Sequence, residues 1–166
     1  MSAEDRVCYR LLDFYISVPE IEVHSYHPPS SKGYHGGLVR IPRREGGVRT
    51  RDRYHVDFIF QIDGVLVLQE LKGKASELGS DVQKLNEILS QYSVPELAAI
   101  IAARVPKGEL LSQVKTIILA VGYEVKDALL PEHIVQFVAT ASGVQMIVGA
   151  DVQLEGRKIL ARIIGK

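Results

Sequence analysis

The chain has 166 residues, 46% hydrophobic and 24% charged, with a formal net charge of zero. That is the size and composition of one globular domain with a substantial core, and the balance of charge announces neither a nucleic-acid nor a membrane partner. A single cysteine, Cys8, excludes an internal disulfide framework and fits a reducing compartment, and no apolar stretch approaches the roughly 20 residues that span a bilayer. With no signal-peptide pattern at its start, the chain is expected to be one soluble, cytoplasmic domain over residues 1–166.

The elements follow in chain order. Residues 2–16 predict a helix: Ser2 and Asp5 have capping-box spacing, and Val7, Cys8, Leu11, Leu12 and Tyr15 recur at helical intervals. Glu4 heads that apolar stripe and is expected to point along the core-facing side. Residues 17–54 are rich in proline and glycine and read as an irregular insertion, with short extended pieces at "IEVHSY" and "GGLVRIP" and a mobile basic loop at "RREGGVRTRDR". Charge is concentrated here. Lys32, Arg40, Arg43, Arg44, Arg49, Arg51 and Arg53 face only Glu45 and Asp52 between residues 24 and 55, and four of the five histidines (His24, His27, His35, His55) share the stretch.

"HVDFIFQIDGVLVLQELKG", residues 55–73, predicts a hairpin, because both central positions of the favoured two-residue turn need positive φ and Asp63-Gly64 supplies them. With Ile62 and Val65 flanking the turn, Ile59 pairs with Leu68, Asp57 with Glu70, and His55 with Lys72. Alternation then places these residues, with Gln61 and Leu66, on one face, and Val56, Phe58, Phe60, Ile62, Val65, Val67, Gln69 and Leu71 on the other. Both faces are apolar except at the open end, where two carboxylates, a lysine and a histidine converge. Opposed like charges destabilise an antiparallel pair, so a cation, a proton or simple exposure must offset the repulsion, and Lys72 can contribute part; apolar runs on both faces count against simple exposure.

Beyond the hairpin, Ser80 and Gln83 have capping-box spacing ahead of an amphipathic helix bearing Val82, Leu85, Ile88, Leu89 and Tyr92. "VPELAAIIAARVP" predicts a further helix, and "VKTIILAVGYEV" a buried central strand. "HIVQFVATASGVQMIVG" suits a strand pair or a helix followed by a strand, and the tail "RKILARIIGK" is equally ambiguous.

Asp57 followed thirteen residues later by Glu70-Leu71-Lys72 resembles the signature of the PD-(D/E)XK nuclease superfamily, and "AEDRVCYRLLDFY" is similar to the first helix of archaeal Holliday-junction resolvases. Val56 stands where that signature has a proline, and Gln83 is followed by Glu87 and not by the tyrosine of the RecB-like branch. The resemblance implies an α/β restriction-endonuclease-like core (helix, β-meander, helix, strand, in a mixed central sheet flanked by helices). It also implies a nuclease that hydrolyses DNA, including branched or repair intermediates.

In that reading Asp57 and Glu70 hold Mg2+ or Mn2+, with the Leu71 carbonyl as a further ligand, since a hard cation takes one or two carboxylates with water and phosphate. Lys72 orients water, stabilises charge or acts as a base, and Glu4 joins the site. His55 and Gln83 stand behind these residues. Arg40, Arg43, Arg44, Arg49, Arg51, Arg53 and Lys84 would neutralise DNA phosphates, although a basic run of this kind is as often a solvated surface. A non-catalytic nucleic-acid-binding or assembly domain is the alternative. A homodimer through the apolar tail would suit the cutting of two strands. Zinc on His24, His27 and His35 or His55 has little support without cysteines.

Overall fold

The computed structural model describes residues 1–28 and 39–164. In chain order the elements are helix α1 (Ala3–Ile16), strands β1 (Ile21–Tyr26), β2 (Arg40–Glu45), β3 (Val48–His55), β4 (Phe58–Ile62) and β5 (Val65–Leu71), helices α2 (Gly79–Gln91) and α3 (Val94–Ala102), strands β6 (Thr116–Tyr123), β7 (Val135–Thr140) and β8 (Gly143–Ile147), and helix α4 (Leu154–Ile164). Six strands form a mixed central sheet in the order β1-β4-β5-β6-β7-β8, with helices on both faces, while β2 and β3 form a separate two-stranded sheet. This is an α/β fold. No helix among the described residues is long and apolar enough to cross a membrane.

The β4–β5 register follows from the turn. Asp63 (φ 47°) and Gly64 (φ 82°) both take the left-handed conformation, and Phe58 pairs with Gln69, Ile59 with Leu68, and Ile62 with Val65. Each face of the hairpin meets its own core. Ile59, Leu66 and Leu68 pack with Leu85 and Ile88 of α2 and Leu97 and Ile101 of α3. Phe58, Phe60, Ile62, Val65, Val67 and Leu71 pack with Val7, Cys8, Leu11 and Tyr15 of α1 and Leu160 and Ile163 of α4. Burial on both sides is why β5 reads as an unbroken apolar run apart from Gln69 and Glu70. β6 lies parallel to β5 and is the expected central strand.

Three expectations are corrected. The 17–54 segment is not irregular where the structure describes it: "IEVHSY" is β1, paired with β4, and "RREGGVRTRDR" lies in an antiparallel hairpin whose turn is Gly46-Gly47 (φ 57° and 80°). The run of residues 55–62 is not one strand. His55 closes β3 and pairs with Arg40, and β4 starts only at Phe58, so His55 does not pair with Lys72 and Val56 belongs to the α2/α3 core instead of the face of Phe58. Finally, α2 begins at Gly79 with Leu78 as its cap residue, so Ser80 lies inside the helix and caps nothing. The Ser2–Asp5 capping box does form, and Ser93 with Glu96 makes another at α3. The two ambiguous C-terminal segments are the β7–β8 hairpin and helix α4.

Candidate active site

Asp57 sits one step beyond the Phe58–Gln69 pair, at the open end of the β4–β5 hairpin, and is fastened to the strands on both sides. Its carbonyl accepts from the His27 N–H at 2.9 Å, and its Oδ2 accepts from the Leu71 N–H at 2.9 Å. Glu70 is 2% exposed and pairs with Val121 of β6, one step beyond the last β4–β5 pair. Burial pushes its carboxyl well above the usual carboxylate range. The neighbouring Asp57 adds to that shift through its charge and a hydrogen bond, and Lys84 offsets part of it. The two carboxylates of the motif therefore face one another in a poorly solvated place.

Two lysines serve the cluster from different directions. Lys72, just past β5, donates its backbone N–H to the Gly122 carbonyl, while its Nζ lies 3.6 Å from Glu4 Oε1 and 3.9 Å from Asp81 Oδ2. Burial alone would lower its pKa, yet Asp81, Glu4 and Asp57 together raise it. Glu4 thus reaches inward from the head of the α1 stripe, as its spacing predicts. Lys84, one turn into α2, places its ammonium on Glu70 Oε1, donates to the His55 carbonyl at 2.8 Å, and lies 3.9 Å from Asp81 Oδ1.

Asp81 is the member that sequence reasoning missed. It occupies the first turn of α2, half-buried between the two lysines, and burial raises its pKa while both ammonium groups pull it down. The available signal was an acid in the first turn of the helix that follows the Glu-X-Lys motif. Cys8 also senses the site: its thiol is pushed up to about 12 by burial, then by the charges of Asp57 and Asp5.

The remaining candidates divide into those near the cluster and those held elsewhere. The His55 side chain is exposed, and its pKa is lowered by burial and by Arg40, Lys84 and His27, against the pull of Asp57, so these groups surround it. Gln83 is exposed on α2, away from the hydrogen-bonded cluster. Arg44 is engaged within the fold: it lies 2.9 Å from Glu96, donates to the Gln91 carbonyl at 3.1 Å and stacks 4.2 Å over the Tyr92 ring. Arg43 lies 3.6 Å from Glu87, with its guanidinium over Tyr54. Arg40, Arg49, Arg51 and Arg53 are exposed on the β2–β3 hairpin.

His24 is buried, its Nε2 sharing a 2.8 Å hydrogen bond with Gln61 Oε1 and its Nδ1 without a hydrogen-bond partner among the described residues; Lys32 and His35 lie outside the described residues. Among the described residues no group of three or more His, Cys, Asp or Glu side chains is arranged to hold a metal. What the site offers is two adjacent carboxylates, Asp57 and Glu70, with a cation, the Lys84 ammonium, already against one of them. That donor set fits a hard divalent ion completed by water and substrate oxygens, and does not fit an all-protein cage. Comparison of the chain with protein-family models, with curated proteins and with solved structures finds no match in any of the three.

Proposed function

We propose that this protein is a divalent-metal-dependent nuclease that hydrolyses DNA phosphodiester bonds on a restriction-endonuclease-like core of the PD-(D/E)XK type. The observation that carries the reading is the meeting of Asp57 and the buried Glu70 at the open end of the β4–β5 hairpin, with Lys72 and Glu4 beside them. A buried carboxylate, Glu70, beside a partly exposed one, Asp57, opposes folding, and such a cost is expected where a cation is to be bound. The order α1, the antiparallel trio β1-β4-β5, α2 and the parallel strand β6 agrees with that core.

Asp57, Glu70 and the Leu71 carbonyl would hold Mg2+ or Mn2+, which would supply charge neutralisation at phosphorus and make a bound water easier to deprotonate. The chain's own groups do the rest. Glu4 and Asp81 hold the Lys72 ammonium in place, where it would stabilise developing phosphate charge, orient the attacking water or act as a base. Arg40, Arg49, Arg51 and Arg53, exposed on the β2–β3 hairpin, would contact backbone phosphates and make binding salt-dependent.

The test is incubation with linear, circular, single-stranded and four-way-junction DNA in Mg2+ or EDTA. The expected result is metal-dependent cleavage of at least one substrate, abolished in Glu70→Ala and Lys72→Ala while DNA binding persists. Cleavage retained in both variants overturns the assignment. One observation favours a second reading, a non-catalytic nucleic-acid-binding or assembly domain: Lys84 on Glu70 and the Leu71 N–H on Asp57 already compensate the carboxylates internally. That reading predicts salt-sensitive DNA binding with no turnover on any substrate.

A further inference from the structure

We propose that the Lys84 ammonium is a built-in counter-ion that competes with the divalent metal for Glu70, so that metal enters the site by expelling Lys84 toward solvent. The inference rests on the reading of Asp57 and Glu70 as the metal-holding pair, and adds how that pair is controlled. Its basis is the unequal use of the two lysines. Lys72, the lysine of the motif, pairs with Glu4 and Asp81; it is Lys84, from a different element, that sits directly on Glu70 Oε1. Four carboxylates (Glu4, Asp57, Glu70, Asp81) thus share two ammonium groups, and the most enclosed of them is matched by Lys84 alone.

The two partners of this contact differ in freedom. Glu70 is fixed in a fully buried strand between two neighbours, so it stays where it is. The Lys84 side chain is 28% exposed and hangs on a flexible four-carbon stem from the first turns of α2, so it can leave without disturbing the helix. A route out is marked by its second bond, to the carbonyl of His55, the last residue of the basic hairpin and the partner of Arg40. Moved that way, the ammonium joins the exposed arginines. Lys84 thereby serves two states: with the metal absent it neutralises Glu70, and with the metal present it adds a positive charge beside Arg40, the partner of His55. A divalent ion at contact distance of Glu70 repels the Lys84 ammonium on Oε1, and a poorly solvated environment screens that repulsion little.

The experiment uses the full chain and Mn2+ alone, followed by electron paramagnetic resonance, with folding checked by circular dichroism. The expected result is that Lys84→Met binds Mn2+ about tenfold more tightly than the unaltered protein and Glu70→Gln loses the site. Equal or weaker binding by Lys84→Met, with binding by the unaltered protein that Glu70→Gln abolishes, overturns the competition and leaves the metal site standing. No Mn2+ binding by either the unaltered protein or Lys84→Met overturns the metal site and the competition together. A second measurement needs no variant. Acetylation of Lys84 by an amine-reactive reagent, quantified by mass spectrometry, is expected to speed up severalfold in saturating Mg2+ and to return to its starting rate in EDTA; an unchanged rate at saturation overturns the proposal.

Discussion

Replacing Tyr15 with phenylalanine tests the polar bond that ties α1 to the strand carrying Glu70. Tyr15 is fully buried, its ring 4.2 Å from Phe60, 5.5 Å from Phe58 and 5.6 Å from Phe137, and its hydroxyl donates a 2.7 Å hydrogen bond to Gln69 Oε1. Gln69 is itself fully buried, and its Nε2 has no hydrogen-bond partner among the described residues. Tyr15→Phe keeps the ring packing and strips that amide of its side-chain bond. A hydrogen bond is worth about 1 kcal/mol net, but a buried group left unsatisfied costs about 1–3 kcal/mol, so the loss is expected near 2 kcal/mol. Gln69→Met alone orphans the hydroxyl and also destabilises. The double variant Tyr15→Phe/Gln69→Met removes both partners and is expected to recover about 1–2 kcal/mol relative to the sum of the singles. Urea denaturation followed by far-ultraviolet circular dichroism measures all four proteins, with no change in the dependence on urea. A Tyr15→Phe cost below about 0.5 kcal/mol, or strictly additive singles, refutes the argument.

Two further outcomes follow from the charges. Arg44→Ala is expected to lower the urea midpoint, because Arg44 binds Glu96 and the Gln91 carbonyl and covers Tyr92, whereas Arg51→Ala is expected to leave the midpoint unchanged; under the proposed function Arg51→Ala is expected, in salt-titrated DNA-binding assays, to bind more weakly with a salt slope lower by about one. The Glu124 carboxyl is held below the ordinary glutamate value of 4.5 first by its hydrogen bond from Arg6, at 2.6 Å, with Arg10 adding to the effect. A carboxyl lowered on folding contributes stability above its unfolded pKa and loses it as pH falls through the folded value. The stability difference between the unaltered protein and Glu124→Gln is therefore expected to be largest near neutral pH and to shrink progressively below 4.5; a difference independent of pH contradicts this.

The parts of the site that could be read from the sequence are those set by local rules. Asp63-Gly64 dictates its turn, the turn dictates the register, and the register brings Asp57 opposite Glu70. Glu4 follows from the period of one helix. What could not be read depends on where strands change partners. Nothing in "RYHVDF" marks the point where the chain leaves one sheet for another, because Tyr54 and Val56 are both buried in the same core and alternate as in a continuous strand. The Gly46-Gly47 pair is itself a hairpin signal, but the flanking arginines hide the apolar alternation that normally accompanies it, and only Ile41 and Tyr54 face the core. Asp81 and the position of Lys84 arise from packing α2 across the hairpin end, a tertiary event that neither residue's neighbours in sequence announce. Short β-branched runs near the C-terminus carry both periods, and the choice of strands for β7 and β8 came from an available sheet edge beside β6.

The Asp63-Gly64 turn also has a consequence in time. Closing the β4–β5 hairpin requires a two-residue loop, an event of microseconds, whereas pairing Leu71 with Gly122 across β5 and β6 joins residues more than three times as far apart as Asp57 and Glu70. Loop-closure entropy delays such distant pairings. The carboxylates therefore meet early, while the hairpin end is still open to water and their repulsion is screened, and they are enclosed later, when β6 and α2 arrive. Because Lys84 comes with α2, the positive charge reaches Glu70 together with the wall that shuts water out.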